Sequence, residues 1–169
     1  MSKAKKRVVI VGGGAAGFFA AIRCAELNRD AEVIILERGR EVLGKVKVSG
    51  SGRCNVTHAC FDATELIKRY PRGGRELLGP FHRFGCADTV AWFEQRGVPT
   101  KTEADGRMFP RSNSSQTIMD CLQDAARKAG VKVFLQQRVE SIQAPNEKQA
   151  AWSIATKDQT LYADSLLIA

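Results

Sequence analysis

The chain has 169 residues, of which 44% are hydrophobic and 26% are charged, and its net charge is +8 at pH 7. These values fit one globular domain that is long enough to bury a core. No apolar run approaches the roughly 20 residues of a membrane-spanning helix, and the five scattered cysteines contain no CxxC pair. We therefore expect a cytoplasmic protein with no metal site, no disulfide framework and no membrane partner.

The first forty residues have the pattern of a strand–helix–strand unit. The β-branched run from Arg7 to Val11 predicts a buried strand, and Ala15 to Asn28 predicts a helix with apolar side chains on one face. The stretch "AEVIILE", residues 31–37, predicts a second buried strand. About 30 residues is the length that a βαβ unit requires.

The rest of the chain alternates between helical and extended patterns. Residues 38–61 are glycine-rich and basic and show no periodicity, so we predict an irregular loop there. The following patterns predict, in order, a short helix capped by Asp62, helices over 75–84 and 86–96, a hairpin over 100–110, a helix from Ser114 or Ser115 to Ala129, and a third parallel strand in "VKVFLQ". Three short antiparallel strands are then predicted in "RVESIQ", "AAWSIATK" and "TLYADS", before a last buried strand in "SLLIA".

The turn between the first strand and the helix carries a recognisable glycine spacing. Gly12, Gly14 and Gly17 form GxGxxG, in which the glycines serve a tight bend, a close approach to a pyrophosphate, and helix–strand packing. A helix N-terminus attracts phosphate, and Glu37 at the end of the second strand suits a ribose 2′-hydroxyl. We therefore predict a dinucleotide-binding protein of the α/β class. Its fold would be a Rossmann-like parallel sheet with flanking helices plus a small antiparallel β-meander.

The glycine spacing alone does not distinguish FAD from NAD. A plain NAD domain continues quickly into the next helix and strand, whereas this chain runs through the long basic stretch 38–61. A second loop of that kind can bring hydrogen-bond donors to the pyrophosphate and ring system of a larger dinucleotide. The loop favours FAD, and an NAD-binding Rossmann domain stays open as the alternative.

Several longer stretches resemble a known family. "VVIVGGGAAGFFAAIRCAE", "GKVKVSGSGRCNVTH" and "DGRMFPRSNSSQTIMDCL" look like the N-terminal part of the aminoacetone oxidase-like NAD(P)/FAD-dependent oxidoreductases, which have the FAD-binding fold of the glutathione reductase type. The resemblance covers essentially the whole chain. Members of that family are much longer, so it implies that residues 1–169 are the FAD-binding part of a longer flavoprotein. The substrate-side insert and the C-terminal segment that completes the flavin pocket would then be absent.

The resemblance also implies a set of FAD-binding residues. The pyrophosphate would be lined by Gly12, Gly14, Ala15, Ala16 and Gly17. Glu37 would bind the adenosine ribose with Arg38 beside it, and the backbone of Val139 would meet the adenine. Ala169 would lie in a small-residue turn near the cofactor. The loop that runs toward the flavin would contribute Lys45, Ser49, Gly50, Gly52, Arg53, Cys54, Asn55 and Thr57.

These residues predict an FAD-dependent oxidoreductase that moves a hydride between flavin and either a small-molecule substrate or NAD(P)H. No catalytic acid or base is identified. A basic nucleic-acid-binding module is a further alternative, because residues 38–75 hold nine Lys or Arg against three acids. Such a module would interleave aromatic rings with its charges, and this stretch has Phe61 and Tyr70 alone. We therefore expect no nucleic-acid partner.

Three further residues have chemistry to consider. Cys54 follows Arg53, whose charge could lower the pKa of the thiol, although a small packed loop residue is the favoured interpretation. His58 is interpreted as a surface or capping residue rather than an acid or base. His82 lies in a helical pattern between Phe81 and Phe84 and is predicted to be packed.

Overall fold

The computed structural model describes residues 5–147 and 149–169. In chain order its elements are β1 (Arg7–Val11), α1 (Ala15–Leu27), β2 (Glu32–Leu36), α2 (Gly44–Gly52), β3 (Thr57–His58), α3 (Ala63–Ile67), α4 (Gly74–Arg83), α5 (Cys86–Glu94), β4 (Thr100–Thr102), β5 (Arg107–Pro110), α6 (Ser115–Lys128), β6 (Lys132–Phe134), β7 (Val139–Gln143), β8 (Trp152–Thr156), β9 (Thr160–Ala163) and β10 (Ser165–Ile168). No helix among the described residues is both long and apolar enough to cross a bilayer.

The chain divides into two compact units. The first unit holds the chain through Lys45 and from Leu122 onward, and the second unit is Val46–Cys121. The boundaries fall inside α2 and α6.

A four-stranded parallel sheet forms the centre of the first unit. Its strand order is β10-β1-β2-β6, and every described pair in it is parallel. The carboxyl ends of parallel strands meet at one edge of the sheet, so the turn after β1 and the end of β2 lie side by side. This arrangement confirms the predicted parallel sheet.

The two faces of this sheet are covered by different elements. Alternate strand residues point to opposite faces, and Val9, Ile34 and Leu36 join a buried cluster with residues of β8 and β9. The antiparallel sheet β7-β8-β9 is the predicted meander. On the helical side, α1 buries Gly17, Phe18, Ala21, Ile22 and Ala25, the face that its apolar spacing predicted.

The second unit combines a small antiparallel sheet with short helices. The sheet has the order β3-β5-β4, and β4 with β5 is the predicted hairpin. Asp62 caps α3 as expected, because its carboxylate accepts the N–H groups of Thr64 and Glu65. Phe93 is buried in α5, whereas Trp92 is half-buried.

Two predictions from the sequence were wrong. The stretch 38–61 contains α2 and β3 rather than an irregular loop throughout. Periodicity failed there because α2 buries Val46 alone and then leaves helical geometry at Ser49–Ser51. His82 is exposed instead of packed, because α4 turns that position toward solvent.

Candidate functional site

The turn after β1 has a shape that glycine alone permits at two positions. Gly12 has φ +115°, and its N–H donates to the carbonyl of Leu36 at 2.9 Å. A Cβ at Gly12 would overlap the carbonyl oxygen of Ala169, and a Cβ at Gly17 would overlap that of Gly12. These contacts agree with the predicted tight bend and close helix packing.

Neither backbone conformation nor packing requires a glycine at position 14, in contrast to positions 12 and 17. Its φ is −83°, which any L-residue adopts, and a Cβ built there meets no atom within 4 Å. Gly14, Ala15 and Ala16 are all exposed. The fold therefore does not require glycine at this position, and its absent side chain leaves the surface above the turn open.

The same surface presents the N-terminus of α1. The intrahelical ladder starts with the N–H of Phe18 donating to the carbonyl of Gly14 at 3.0 Å, so the N–H groups of the preceding residues have no acceptor in the helix. Among the described residues no side chain caps this end, and its first turn carries no acid. No residue of the helix itself therefore caps this end, and its free N–H groups suit an anion.

Glu37 is held rigidly beside this turn. Its Oε2 accepts the N–H of Gly13 at 2.8 Å, and its Oε1 accepts the N–H of Gly39 at 2.7 Å. Each carboxylate oxygen can accept two hydrogen bonds, so the group retains acceptor capacity for a hydroxyl. A further bond, from the N–H of Leu43 to the carbonyl of Gly13 at 2.8 Å, ties the following segment to the glycine turn.

The other predicted residues of the first unit differ in position. Ala169 lies against Gly12, and its N–H donates to the carbonyl of Val11 at 2.9 Å. The N–H of Gln137 donates to the carbonyl of Glu37 at 2.8 Å, so the segment that leads into Val139 starts beside Glu37. Arg38 and Lys45 are exposed.

In the second unit, residues 49–57 form a tight left-handed loop. Gly50, Ser51, Gly52 and Cys54 all have φ between +56° and +82°. The N–H of Cys54 donates to the carbonyl of Ser49 at 2.9 Å and closes the loop. Three of the predicted cofactor residues are thus held in conformations that few side chains tolerate.

This loop pairs with the other distinctive motif, "DGRMFP". β3 runs antiparallel to β5 with Thr57 opposite Met108, and the N–H of Val56 donates to the carbonyl of Met108 at 2.9 Å. The side-chain amide of Asn55, oriented to donate, reaches the carbonyls of Thr57 and Met108. The loop 49–57 and the stretch "DGRMFP" are therefore hydrogen-bonded neighbours, although they lie far apart in the sequence.

Arg53 contacts Glu103 and Phe109, two residues that the sequence pattern did not connect with it. Its Nη1 lies 2.5 Å from Oε1 of Glu103, and its guanidinium carbon lies 4.1 Å from the ring centroid of Phe109. The guanidinium of Arg107 lies 5.5 Å from the same centroid. Gly50 packs on this ring as well, since a Cβ there would meet Phe109 Cε1 at 2.7 Å.

Cys54 is buried, and His58 packs against a neighbouring turn. Cys54 is 6% exposed, and burial raises the pKa of its thiol, so the idea that Arg53 lowers this pKa was wrong. Arg53 pairs with Glu103 instead. The ring of His58 packs on Gly106, with Nε2 at 3.1 Å from the carbonyl of Asp105 and Nδ1 buried without a described partner.

Comparison with known proteins identifies the family. The family model described as the HI0933-like protein Rossmann domain matches residues 6–169. The chain belongs to this family. The match confirms the Rossmann-type fold, whereas the narrower likeness to aminoacetone oxidase-like proteins stays a prediction. The described residues contain no cluster of three or more His, Cys, Asp or Glu that could hold a metal ion.

Curated relatives of this HI0933-like domain carry different activities. The chain is 32% identical over 163 residues to the 3-dehydro-bile acid delta(4,6)-reductase of Clostridium scindens, and 26% identical over 161 residues to the ribosomal RNA dihydrouridine synthase of Escherichia coli. The alignments cover 96% and 95% of this chain and 38% of each relative. The chain therefore spans well under half the length of these proteins.

Solved structures show the same fold at low identity. The 3-ketosteroid-delta4-(5alpha)-dehydrogenase of Rhodococcus jostii gives a TM-score of 0.69 at 17% identity, over 99% of this chain and 46% of that one. THI4 of Thermovibrio ammonificans gives 0.58 at 18% identity, over 96% and 55%.

Proposed function

We propose that this chain binds FAD and forms the cofactor-binding part of a flavin-dependent oxidoreductase. The observation that carries the proposal is the turn after β1, where Gly14 leaves open the uncapped N-terminus of α1 and Glu37 lies alongside. When bound, FAD supplies hydride-transfer chemistry toward a substrate or NAD(P)H. The substrate is a small molecule or group, and the compartment is the cytoplasm.

In this proposal, different residues of the chain bind different parts of the cofactor. The N–H groups at the start of α1 bind the pyrophosphate, and Glu37 accepts hydrogen bonds from ribose hydroxyls while repelling a 2′-phosphate. The carbonyl or N–H of Val139 meets the adenine. The family resemblance assigns the loop 49–57 to the flavin, and within its own unit this loop holds Arg53 against Glu103.

The names of the curated relatives support a reaction class. A Δ(4,6)-reductase and a dihydrouridine synthase both add hydrogen to an unsaturated ring. We infer that the enzyme containing this chain delivers a hydride to one carbon of a carbon–carbon double bond while a proton is added to the other carbon. The two electrons come from NAD(P)H.

The proposal is tested by titrating the chain with FAD and, separately, with NADH in a calorimeter. Gly14→Val is expected to weaken FAD binding at least tenfold, about 1.4 kcal/mol, because its side chain fills the surface that the pyrophosphate needs. It should melt close to the temperature of the parent, since a Cβ at this exposed position meets no atom within 4 Å.

Gly79→Val is the matched control. A Cβ at Gly79 also meets no atom within 4 Å, but this position lies in α4 of the second unit. FAD binding should be unchanged in this variant. Binding of NADH without FAD would favour the plain NAD-binding alternative, and equal FAD affinity in Gly14→Val would contradict the assigned pyrophosphate site.

A further inference from the structure

The loop 49–57 has a backbone conformation that its own residues do not favour. Ser51 and Cys54 have φ of +57° and +62°, in the left-handed region where a Cβ is crowded. Ser51 is exposed, so packing around its side chain does not hold it there. A backbone of this kind persists when contacts from the surrounding structure fix it.

Hydrogen bonds inside the loop give limited support. The N–H of Cys54 donates to the carbonyl of Ser49 at 2.9 Å. The N–H and the Nε of Arg53 both donate to the carbonyl of Gly50, at 3.3 and 3.4 Å. Most N–H···O bonds in proteins measure about 2.9–3.0 Å, so the two bonds from Arg53 are long. Partners outside the loop therefore decide where Arg53 lies.

Two residues of the β4–β5 hairpin supply these partners. Oε1 of Glu103 lies 2.5 Å from Nη1 of Arg53, and the two side chains are only 28% and 33% exposed. The buried ring of Phe109 lies under the guanidinium, with its centroid 4.1 Å from the guanidinium carbon, and it also packs on Gly50. An ion pair that is shielded from water and stacked on a ring restrains an arginine more than a solvated surface pair does.

Glu103 is itself fixed by the turn of the same hairpin. Its N–H donates to the carbonyl of Arg107, and its carbonyl accepts the N–H of Gly106, both at 2.9 Å. Arg107 pairs with Asp105 at 2.7 Å and lies 4.0 Å from Oε2 of Glu103. The short contact of the Glu103 carboxylate is therefore the one with Arg53.

Backbone pairing joins the hairpin to the loop independently of these side chains. β5 is the central strand of the small sheet, with Phe109 opposite Lys101 of β4 and Met108 opposite Thr57 of β3. Loss of the Glu103 carboxylate should therefore loosen the loop 49–57 and leave the sheet formed.

We propose that Glu103 and Phe109 are positioning residues for FAD binding, which fix Arg53 and thereby the shape of the loop 49–57. The inference rests on the proposed function, in which this loop meets the cofactor. Its prediction is opposite in sign to that of charge alone. Glu103 and the FAD pyrophosphate are both negative, so electrostatics predicts tighter binding when Glu103 is neutralised, whereas loss of positioning predicts weaker binding.

The test compares FAD with ADP, which lacks the flavin end, by calorimetry of the full chain. Glu103→Gln should bind FAD about fivefold or more weakly and ADP within about twofold of the parent. Arg53→Gln should give the same pattern. The double variant should bind FAD no more weakly than Arg53→Gln, because residues that act as one unit have non-additive effects.

A second measurement needs no cofactor. Hydrogen exchange of the backbone amides of residues 49–57, read by mass spectrometry, should be about fivefold or more faster in Glu103→Gln than in the parent. Phe109→Leu should also speed this exchange. Exchange in α5 of the same unit should stay at the parent's rate in Glu103→Gln, which separates a loosened loop from an unfolded unit.

Glu65→Gln is the matched control. Glu65 pairs with Lys68 at 2.6 Å in the same unit, but their side chains are 59% and 65% exposed. This variant neutralises an acid without touching the loop 49–57. It should keep the parent's FAD affinity and the parent's exchange rate in the loop.

Three results would overturn the proposal. The first is Glu103→Gln binding FAD as tightly as the parent, or more tightly, while Arg53→Gln binds it weakly, which would assign Arg53 to direct contact with the cofactor. The second is an equal loss of FAD and ADP affinity in Glu103→Gln. The third is loop exchange that Glu103→Gln leaves unchanged.

The parent chain separates this inference from the proposed function. Equal affinity of the parent for FAD and ADP would overturn the positioning role and leave FAD binding intact. A parent that binds neither ligand would contradict the proposed function and the inference together.

Discussion

A glycine in the turn after β1 is needed either by the fold or by a ligand, and the atoms around it distinguish the two cases. Gly12 and Gly17 are required by close backbone approach, whereas Gly14 fills no structural need. The GxGxxG spacing predicted the close approaches at Gly12 and Gly17, although the backbone that Gly12 meets is that of Ala169, whereas the pyrophosphate role of Gly14 stays a prediction. The pairing of Arg53 with Glu103 joins residues fifty positions apart, and no local pattern reveals such a contact.

The raised pKa of Cys54 leads to a prediction about thiol reactivity. A buried thiol forms less thiolate at a given pH, and Cys54 is 6% exposed, whereas Cys24 and Cys60 are half-buried. Iodoacetamide at about pH 8 should therefore label Cys54 more slowly than Cys60, as measured by mass spectrometry of digested samples over time. Equal rates are expected in denaturant. Preferential labelling of native Cys54 would contradict its assignment as a packed loop residue.

At the scale of elements, one carboxylate joins three strands at the amino end of the parallel sheet. Glu32 of β2 accepts Arg7 Nε of β1 and Lys132 Nζ of β6, each at 2.6 Å. These hydrogen bonds, first from Lys132 and then from Arg7, lower the pKa of Glu32 below its ordinary value. The contacts stabilise the sheet on the side opposite the glycine turn.

The lowered pKa of Glu32 gives a pH dependence of stability. A carboxylate with a depressed pKa in the folded state stabilises the protein above its unfolded pKa, and this contribution is lost as pH falls through the folded value. Glu32→Gln should therefore reduce the free energy of unfolding by about 1 kcal/mol at pH 7. The difference from the parent should shrink below about pH 4. Urea unfolding at both pH values measures it, and a difference independent of pH would contradict the ion-pair account.

The bounds of the helices and strands also show which of them the sequence pattern could predict. β1, α1 and β2 were predicted within two residues of their bounds because a buried strand and a half-buried helix have strong apolar periods. α2 and β3 were missed because left-handed residues and two-residue strands depend on contacts with Phe109 and Met108, about fifty residues later. Tertiary pairing, rather than local pattern, determines that part of the fold.

At the scale of the whole molecule, the predicted cofactor residues are distributed over both compact units. The first unit contains the glycine turn, Glu37 and Val139, and the second contains the loop 49–57 paired with "DGRMFP". The sequence predicted the Rossmann-type fold that carries these residues, and their roles toward FAD stay predictions. The sequence did not predict that the chain divides into two compact units, because its composition changes little between them.

The measurement that tests FAD binding most directly is the melting temperature of the purified 169-residue chain with FAD, with NADH, and with neither. A ligand that binds the native state stabilises it by about 2.7 kcal/mol at one hundred times its Kd. The account predicts a rise of several degrees with FAD that exceeds the rise with NADH at the same concentration. A clear rise with NADH and none with FAD would contradict it.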